Sequence, residues 1–137
     1  MVLRHARPQG PRRHFGFDLH QEGFEFRHAE IILVEPDGRA RVVADELSFP
    51  NGTVITPDGR TLIVGESFAA RLTAFDIAAD GGLGNRRLWA KCETGTPDGI
   101  CLDAEGAVWY ASPVSNECVR VAEGGRVLDR VPLAKQA

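Results

Sequence analysis

The chain has 137 residues, of which 43% are hydrophobic and 26% are charged, and its formal net charge is −3. This composition is typical of one soluble globular domain and excludes a disordered or membrane-like chain. No stretch approaches the roughly 20 apolar residues that span a bilayer, so we expect no membrane partner.

The first 14 residues form a basic segment that we predict to be a flexible tail. It contains four arginines, Arg4, Arg7, Arg12 and Arg13, and the first acidic residue of the chain is Asp18. It lacks the apolar run of a secretory signal. Without these arginines, the rest of the chain has 12 basic and 19 acidic residues and a net charge of −7. An acidic body favours cation binding and argues against a nucleic-acid partner.

The three cysteines, Cys92, Cys101 and Cys118, are odd in number and lack paired CxxC spacing. We therefore predict buried free thiols in a reducing cytoplasm rather than disulfides or a zinc site. The four histidines all lie within the first 28 residues and are not spaced as a metal site.

From residue 30 onward, the sequence predicts a series of short strands separated by turn dipeptides such as Asp37-Gly38 and Asp58-Gly59. The predicted strands cover residues 30–34, 40–44, 53–56, 61–65, 71–77, 87–90, 100–102, 107–111, 117–121 and 126–131. No segment has a sustained helical period. The chain is therefore predicted to be all-β.

Part of this pattern repeats after 47 residues. Pro50-Asn51-Gly52 (the Asn51 motif) recurs as Pro97-Asp98-Gly99 (the Asp98 motif), each followed by a strand, a tight turn and a second strand. A unit of about 47 residues with four strands is typical of a β-propeller blade. A solenoid usually has shorter rungs, and a β-sandwich would not repeat the same motif before its strands.

The repeat accounts for two whole blades, and residues 30–34 and 40–44 resemble the last two strands of an earlier blade. We therefore predict an incomplete β-propeller of about 2.5 four-stranded blades over residues 15–137. Propellers need at least four blades to close. The exposed blade edges offer surfaces for self-association.

The repeated motif contains the candidate metal ligands, Asn51 and Asp98. The first strand of a blade lines the central channel, so oxygens at its start converge on one axis. Amide and carboxylate oxygens suit Ca²⁺, Mg²⁺ or Mn²⁺, and the carboxylate also accepts Zn²⁺. We expect Gly52 and Gly99 to adopt backbone conformations closed to other residues. Alternatively, both dipeptides are ordinary tight turns.

Several motifs together resemble the gluconolactonase, senescence-marker-protein (regucalcin) and luciferin-regenerating-enzyme-like family. They lie at residues 49–52, 56–62, 71–76, 85–87 and 97–106. The resemblance covers roughly residues 15–133. It implies a six-bladed propeller with one divalent cation in its channel that hydrolyses lactones of sugar acids or related esters.

The resemblance also implies roles for individual residues. Asn51 and Asp98 match two of the family's four cation ligands, and the motifs that carry the other two are absent. Asp98 would also be the general base for the attacking water, whereas neutral Asn51 would coordinate and orient. Asp18 falls near a position that contacts substrate in some relatives, with an acidic loop residue as the alternative.

Three hypotheses follow for the function. The chain is a lactone hydrolase whose site is completed by a further chain or by self-association, a non-catalytic cation-binding half-propeller, or an inactive fragment. With two of four protein ligands, weak cation affinity is expected.

Overall fold

The computed structural model describes residues 2–4, 14–18 and 28–134, with side chains for residues 28–134. Twelve strands and one 3-10 helix at Ser67–Ala69 form this part of the chain. The strands are β1 (Val2–Arg4), β2 (His14–Asp18), β3 (Ala29–Val34), β4 (Ala40–Leu47), β5 (Pro50–Ile55), β6 (Thr61–Glu66), β7 (Arg71–Ile77), β8 (Leu83–Lys91), β9 (Ile100–Leu102), β10 (Val108–Ser112), β11 (Glu117–Val121) and β12 (Val127–Pro132).

These strands form three antiparallel four-stranded sheets in chain order. Sheet A contains β1–β4, sheet B contains β5–β8 and sheet C contains β9–β12. Within each sheet, every strand pairs with the next one along the chain. Sequential four-stranded meanders of this kind are propeller blades. The predicted all-β, incomplete propeller is confirmed.

Sheet A differs from the prediction because its first two strands are present. β1 pairs with β2, and β2 pairs with β3, so the described residues form three sheets rather than about 2.5. β1 has only three residues, too few to establish a period of two. Of the predicted tail, residues 1 and 5–13 lie outside the described residues. The domain boundary at residue 15 stays a prediction.

Sheet B is buried on both faces. One apolar cluster joins it to sheet A and contains Ile31, Leu33, Leu47, Leu62, Val64 and Phe75. The other joins it to sheet C and contains Ile63, Leu72, Ala74, Trp89, Ala90, Cys92, Val108, Tyr110, Val119 and Val121. Burial on both faces explains why β6 is a continuous apolar run, whereas β3 alternates buried and half-buried residues.

All three cysteines are free thiols. Cys92 is buried, and burial raises the pKa of its thiol to about 12. Cys101 is exposed and Cys118 half-buried, so the expectation of buried thiols is right only for Cys92. The residues that the structure describes contain no helix long and apolar enough to cross a membrane.

Candidate functional site

The Asn51 motif lies at the start of β5, in extended backbone. Pro50 is buried and pairs with Glu66 at the end of β6, and the ladder shifts register between Pro50 and Thr53. Asn51 itself is half-buried. Because of this irregular pairing, Asn51 lies outside the regular ladder of hydrogen bonds, and its side chain is available for another contact.

The Asp98 motif precedes β9 and is fixed by its backbone. The Asp98 amide donates to the carbonyl of Ala111 at 2.9 Å, and its carbonyl accepts from the Gly52 amide at 2.7 Å. The hydroxyl of buried Ser67 donates to the carbonyl of Pro97 at 2.6 Å. Three hydrogen bonds therefore hold the peptide groups around the half-buried Asp98 side chain.

The Asn51 and Asp98 motifs meet at Gly52. The Gly52–Asp98 hydrogen bond joins the start of sheet B directly to the start of sheet C. A Cβ atom on Gly52 would lie 2.4 Å from the Ile100 nitrogen and 2.5 Å from the Asp98 carbonyl oxygen. Only glycine permits so close an approach of two backbones. The first strands of neighbouring sheets thus lie side by side, as expected near the axis of a propeller.

Neither motif is a left-handed turn. The glycines of Asp37-Gly38 and Asp58-Gly59 have φ of +89° and +71°, as tight turns require. Gly52 and Gly99 both lie outside the left-handed region. The expectation that these glycines adopt conformations closed to other residues is therefore wrong. Close packing is the reason for glycine at position 52, and a Cβ at position 99 meets nothing within 4 Å.

The side-chain oxygens of the two candidate ligands are unpaired. Within residues 28–134, neither the Asn51 amide nor the Asp98 carboxylate has a hydrogen bond or ion pair. Other acids of this part are paired: Asp58 accepts from Thr56, and Asp103 forms an ion pair with Arg120. Two half-buried, unpaired oxygen groups on adjoining strand starts fit a hard divalent cation.

The donor set is nevertheless small. Among the residues that the structure describes, no group of three or more His, Cys, Asp or Glu side chains could hold a metal ion. Asn51 and Asp98 supply one neutral and one charged donor, and oxygen-loving cations take six or more ligands. The remaining positions would go to water or to groups outside the described residues.

Asp18 lies at the end of β2, where its backbone pairs with Glu30 near the start of β3. β3 starts at the end of sheet A where β4 finishes, since Ala29 pairs with Leu47. The chain then continues from Leu47 into β5. Asp18 and Asn51 are thus at the same end of neighbouring sheets. The side chain of Asp18 is outside the described residues, so its contact with substrate stays a prediction.

Glu66 is a buried acid that the sequence analysis did not single out. Its carboxylate is fully buried and accepts hydrogen bonds from the Ser48 amide, the Arg71 guanidinium and the Thr73 hydroxyl. Burial raises the pKa of Glu66, but these hydrogen bonds, led by Arg71, outweigh it and hold the pKa below its usual value. Glu66 thereby fastens the residues before Asn51 to the end of β6.

One sequence signal could have revealed Glu66. It ends the otherwise apolar run of β6, and Arg71 begins the next strand five residues later. An acid at the end of a buried strand needs a partner, and the adjacent hairpin strand supplies it. The Ser48 contact depends on tertiary structure and has no such local signal.

Three four-stranded antiparallel sheets, each built from consecutive strands, define part of a β-propeller. The chain matches the family described as "SMP-30/Gluconolactonase/LRE-like region" over residues 12–137. The chain belongs to this family.

Characterised relatives agree with this membership. The chain is 28% identical over 107 residues to a 6-deoxy-6-sulfogluconolactonase of Pseudomonas putida, covering 76% of this chain and 37% of the relative. It is 36% identical over 103 residues to regucalcin of Danio rerio, covering 73% of this chain and 32% of the relative. The chain thus spans about a third of the length of these relatives.

Solved structures share the fold. A gluconolactonase from Xanthomonas campestris superposes with a TM-score of 0.71 at 28% identity, covering 93% of this chain and 45% of that one. A luciferin-regenerating enzyme superposes with a TM-score of 0.76 at 19% identity, covering 95% and 45% respectively. The described sheets correspond to slightly under half of these propellers.

Proposed function

We infer that the chain supplies part of the active site of a divalent-cation-dependent hydrolase acting on sugar-acid lactones or related esters. One observation supports this above all: Asn51 and Asp98 present unpaired, half-buried oxygens on strand starts that are hydrogen-bonded to each other through Gly52. The lactonase relatives provide the reaction class.

The roles of the two residues follow from their chemistry. A divalent cation, when bound, would polarise the lactone carbonyl. Asp98 is the charged ligand and the base that takes a proton from the attacking water. The neutral amide of Asn51 cannot take up a proton near neutral pH, so its role is to coordinate the cation and orient the site. The backbone hydrogen bonds of Asp98 keep its carboxylate in place without occupying its oxygens.

A lactonase assay of Asp98→Asn tests this function. Because the substitution removes both the charge and the base, we expect hydrolysis with Ca²⁺, Zn²⁺, Mg²⁺ or Mn²⁺ to fall about 10²-fold or more. Asp58→Asn is the matched control, since Asp58 belongs to a turn and its Asp-Gly dipeptide tolerates asparagine. Equal rates for the parent chain and Asp98→Asn would contradict the mechanism.

Cation binding without turnover is the second candidate, because the described residues supply only two ligand side chains. A dissociation constant on the order of 1 mM is expected for such a site. Calorimetric titration separates this candidate from an inactive fragment. Binding without turnover is favoured if the parent chain gives heat of cation binding, Asp98→Asn gives none and neither hydrolyses lactones. An absence of heat at millimolar cation would contradict both the hydrolase and the binding candidate.

The open face of sheet C supports a further partner surface. Cross-strand pairing places Trp109 beside Cys101 and Ala111 beside Cys118, and Cys118 beside Val131. Cys101 is exposed and Val131 is 45% exposed. The same face also carries two charged residues, Arg120 and Asp129, in the cross-strand row of Trp109. In a propeller, a blade packs on its neighbour through such a sheet face. Self-association through such exposed blade surfaces is therefore part of the proposal.

A further inference from the structure

The side chain of Ser67 joins two sheets. Ser67 is the first residue of the 3-10 helix at Ser67–Ala69, which connects β6 to β7 in sheet B. It is only 8% exposed, and its hydroxyl donates to the carbonyl of Pro97 at 2.6 Å, just before the first strand of sheet C. A buried carbonyl needs a hydrogen-bond partner, and here the partner comes from the neighbouring sheet.

The same residue contacts the segment before Asn51. The Ser67 amide donates to the carbonyl of Phe49, two residues before Asn51, at 3.0 Å. Its hydroxyl binds Pro97, the residue directly before Asp98. Two hydrogen bonds from one residue therefore hold the segments that lead into both candidate ligands.

The turn that contains Ser67 also holds the connection from sheet B to sheet C. At its start, Ser67 follows Glu66, whose buried carboxylate accepts four hydrogen bonds. At its end, the Ala70 amide donates to the Ser67 carbonyl at 3.4 Å, and the Ala70 carbonyl accepts from the Cys92 amide at 2.8 Å. The connection from Cys92 to Pro97 is thus hydrogen-bonded to this turn at both of its ends.

The hydroxyl of Ser67 binds the peptide group that leads into Asp98. The carbonyl of this group belongs to Pro97 and accepts from Ser67, and its amide belongs to Asp98 and donates to the carbonyl of Ala111 at 2.9 Å. The peptide group is planar, so it turns as one unit about the bonds to its two Cα atoms. Holding its oxygen from sheet B and its nitrogen from sheet C sets the φ of Asp98 and the direction in which the carboxylate leaves the backbone.

We propose that Ser67 is a positioning residue of the cation site, which directs the Asp98 carboxylate toward the cation that Asn51 also coordinates. The proposal rests on the cation-dependent function inferred for Asn51 and Asp98. The hydroxyl hydrogen of Ser67 is engaged by Pro97, so Ser67 acts through the peptide group rather than on the cation or the substrate. Hydrogen bonds behind the ligands orient them in this way in other metal sites.

Binding of Mn²⁺ to variants of the 137-residue chain tests this role, with free Mn²⁺ measured by electron paramagnetic resonance. Ser67→Ala removes the hydroxyl and should weaken Mn²⁺ binding about tenfold, a loss typical of substitutions behind metal ligands. Ser67→Thr keeps a hydroxyl and should restore the affinity of the parent chain.

Thr56→Val is the matched control, because it removes a hydroxyl at the opposite end of β5 from Asn51. The Thr56 hydroxyl donates to Asp58 at 2.6 Å and accepts from the Thr61 amide at 3.1 Å. Its loss should lower the urea midpoint, as the loss of the Ser67 hydroxyl does, but leave Mn²⁺ binding unchanged. The comparison separates positioning from general destabilisation.

Hydrogen exchange gives a second measurement that needs no cation. If Ser67 holds the peptide group before Asp98, the Asp98 amide should exchange faster in Ser67→Ala than in the parent chain. The same amide should keep the parent rate in Thr56→Val.

The proposal is overturned if Ser67→Ala binds Mn²⁺ as tightly as the parent chain, or if Thr56→Val loses the same affinity. It is also overturned if Ser67→Thr has the urea midpoint of the parent chain but the weak binding of Ser67→Ala. The cation function fails separately, if the parent chain binds no Mn²⁺. In that case, faster Asp98 exchange in Ser67→Ala alone would support the role of Ser67 in holding the peptide group, and unchanged exchange would overturn that role as well.

Discussion

The contact at Gly52 predicts that a single methyl group disrupts both the fold and the candidate site. In Gly52→Ala, the new Cβ would lie 2.4 Å from the Ile100 nitrogen, where ordinary contacts begin at 3.4 Å. The strand starts must therefore separate by about 1 Å, because neither backbone can rotate away from the other. This movement would stretch the 2.7 Å hydrogen bond from Gly52 to Asp98 beyond bonding distance.

The expected cost follows from two contributions to the free energy of unfolding. Overpacking a well-packed contact costs about 1–3 kcal/mol, and the lost hydrogen bond adds about 1 kcal/mol. We expect Gly52→Ala to lower the free energy of unfolding by about 2–4 kcal/mol, measured by urea denaturation. Cation affinity should fall as well, since the Asn51 and Asp98 oxygens move apart.

Gly99→Ala is the matched control for this experiment. It changes the glycine of the Asp98 motif, but its Cβ meets nothing within 4 Å and its φ lies outside the left-handed region. The free energy of unfolding should change by less than about 0.5 kcal/mol or rise slightly. Equal urea midpoints for the two variants would refute the close-contact reasoning. A destabilised Gly52→Ala with unchanged cation affinity would show that this contact does not position the ligands.

Two further predictions concern stability and association. Glu66→Gln should lower the free energy of unfolding by about 2–3 kcal/mol near pH 7, because Arg71 loses its buried charged partner. The folded pKa of Glu66 lies below its usual 4.5, so its stabilisation is present above pH 4.5 and is lost as pH falls below it. Urea midpoints should therefore fall less steeply with acid in Glu66→Gln than in the parent chain, and parallel pH profiles would contradict this. Sedimentation should give a mass above 14.9 kDa. Val131→Asp should reduce this mass, whereas the control Val114→Asp, at an exposed loop residue, should leave it unchanged. A concentration-independent monomer would contradict self-association.

Local sequence predicted most of the strands because their signals are short-range. The turns at Asp37-Gly38 and Asp58-Gly59 have the left-handed glycines that their dipeptides indicate, and β7 begins and ends where its apolar pattern does. The 47-residue repeat placed Asn51 and Asp98 at equivalent points of two sheets. Strand periodicity and turn chemistry involve neighbouring residues, so one sequence is enough to read them.

Local sequence patterns did not predict the first two strands of sheet A or the stacking of Phe49 on Phe68. β1 and β2 are recognised by what they pair with, since β1 spans only three residues. The Phe49–Phe68 stack joins residues 19 positions apart, and neither ring stands out among the seven phenylalanines of the sequence. Contacts between distant residues depend on the path of the whole chain, which local patterns do not contain.

The sequence by itself determined that this chain is an all-β propeller segment and predicted Asn51 and Asp98 as candidate ligands at equivalent points of its repeat. Strand period, turn dipeptides and a repeat are all contained in the order of residues. Only the tertiary structure decided that the Asn51 and Asp98 motifs touch, that Gly52 is needed for that contact, and that Glu66 fastens the loop before Asn51. Those features arise where two backbones approach and buried polar groups must find partners, and that depends on three-dimensional packing.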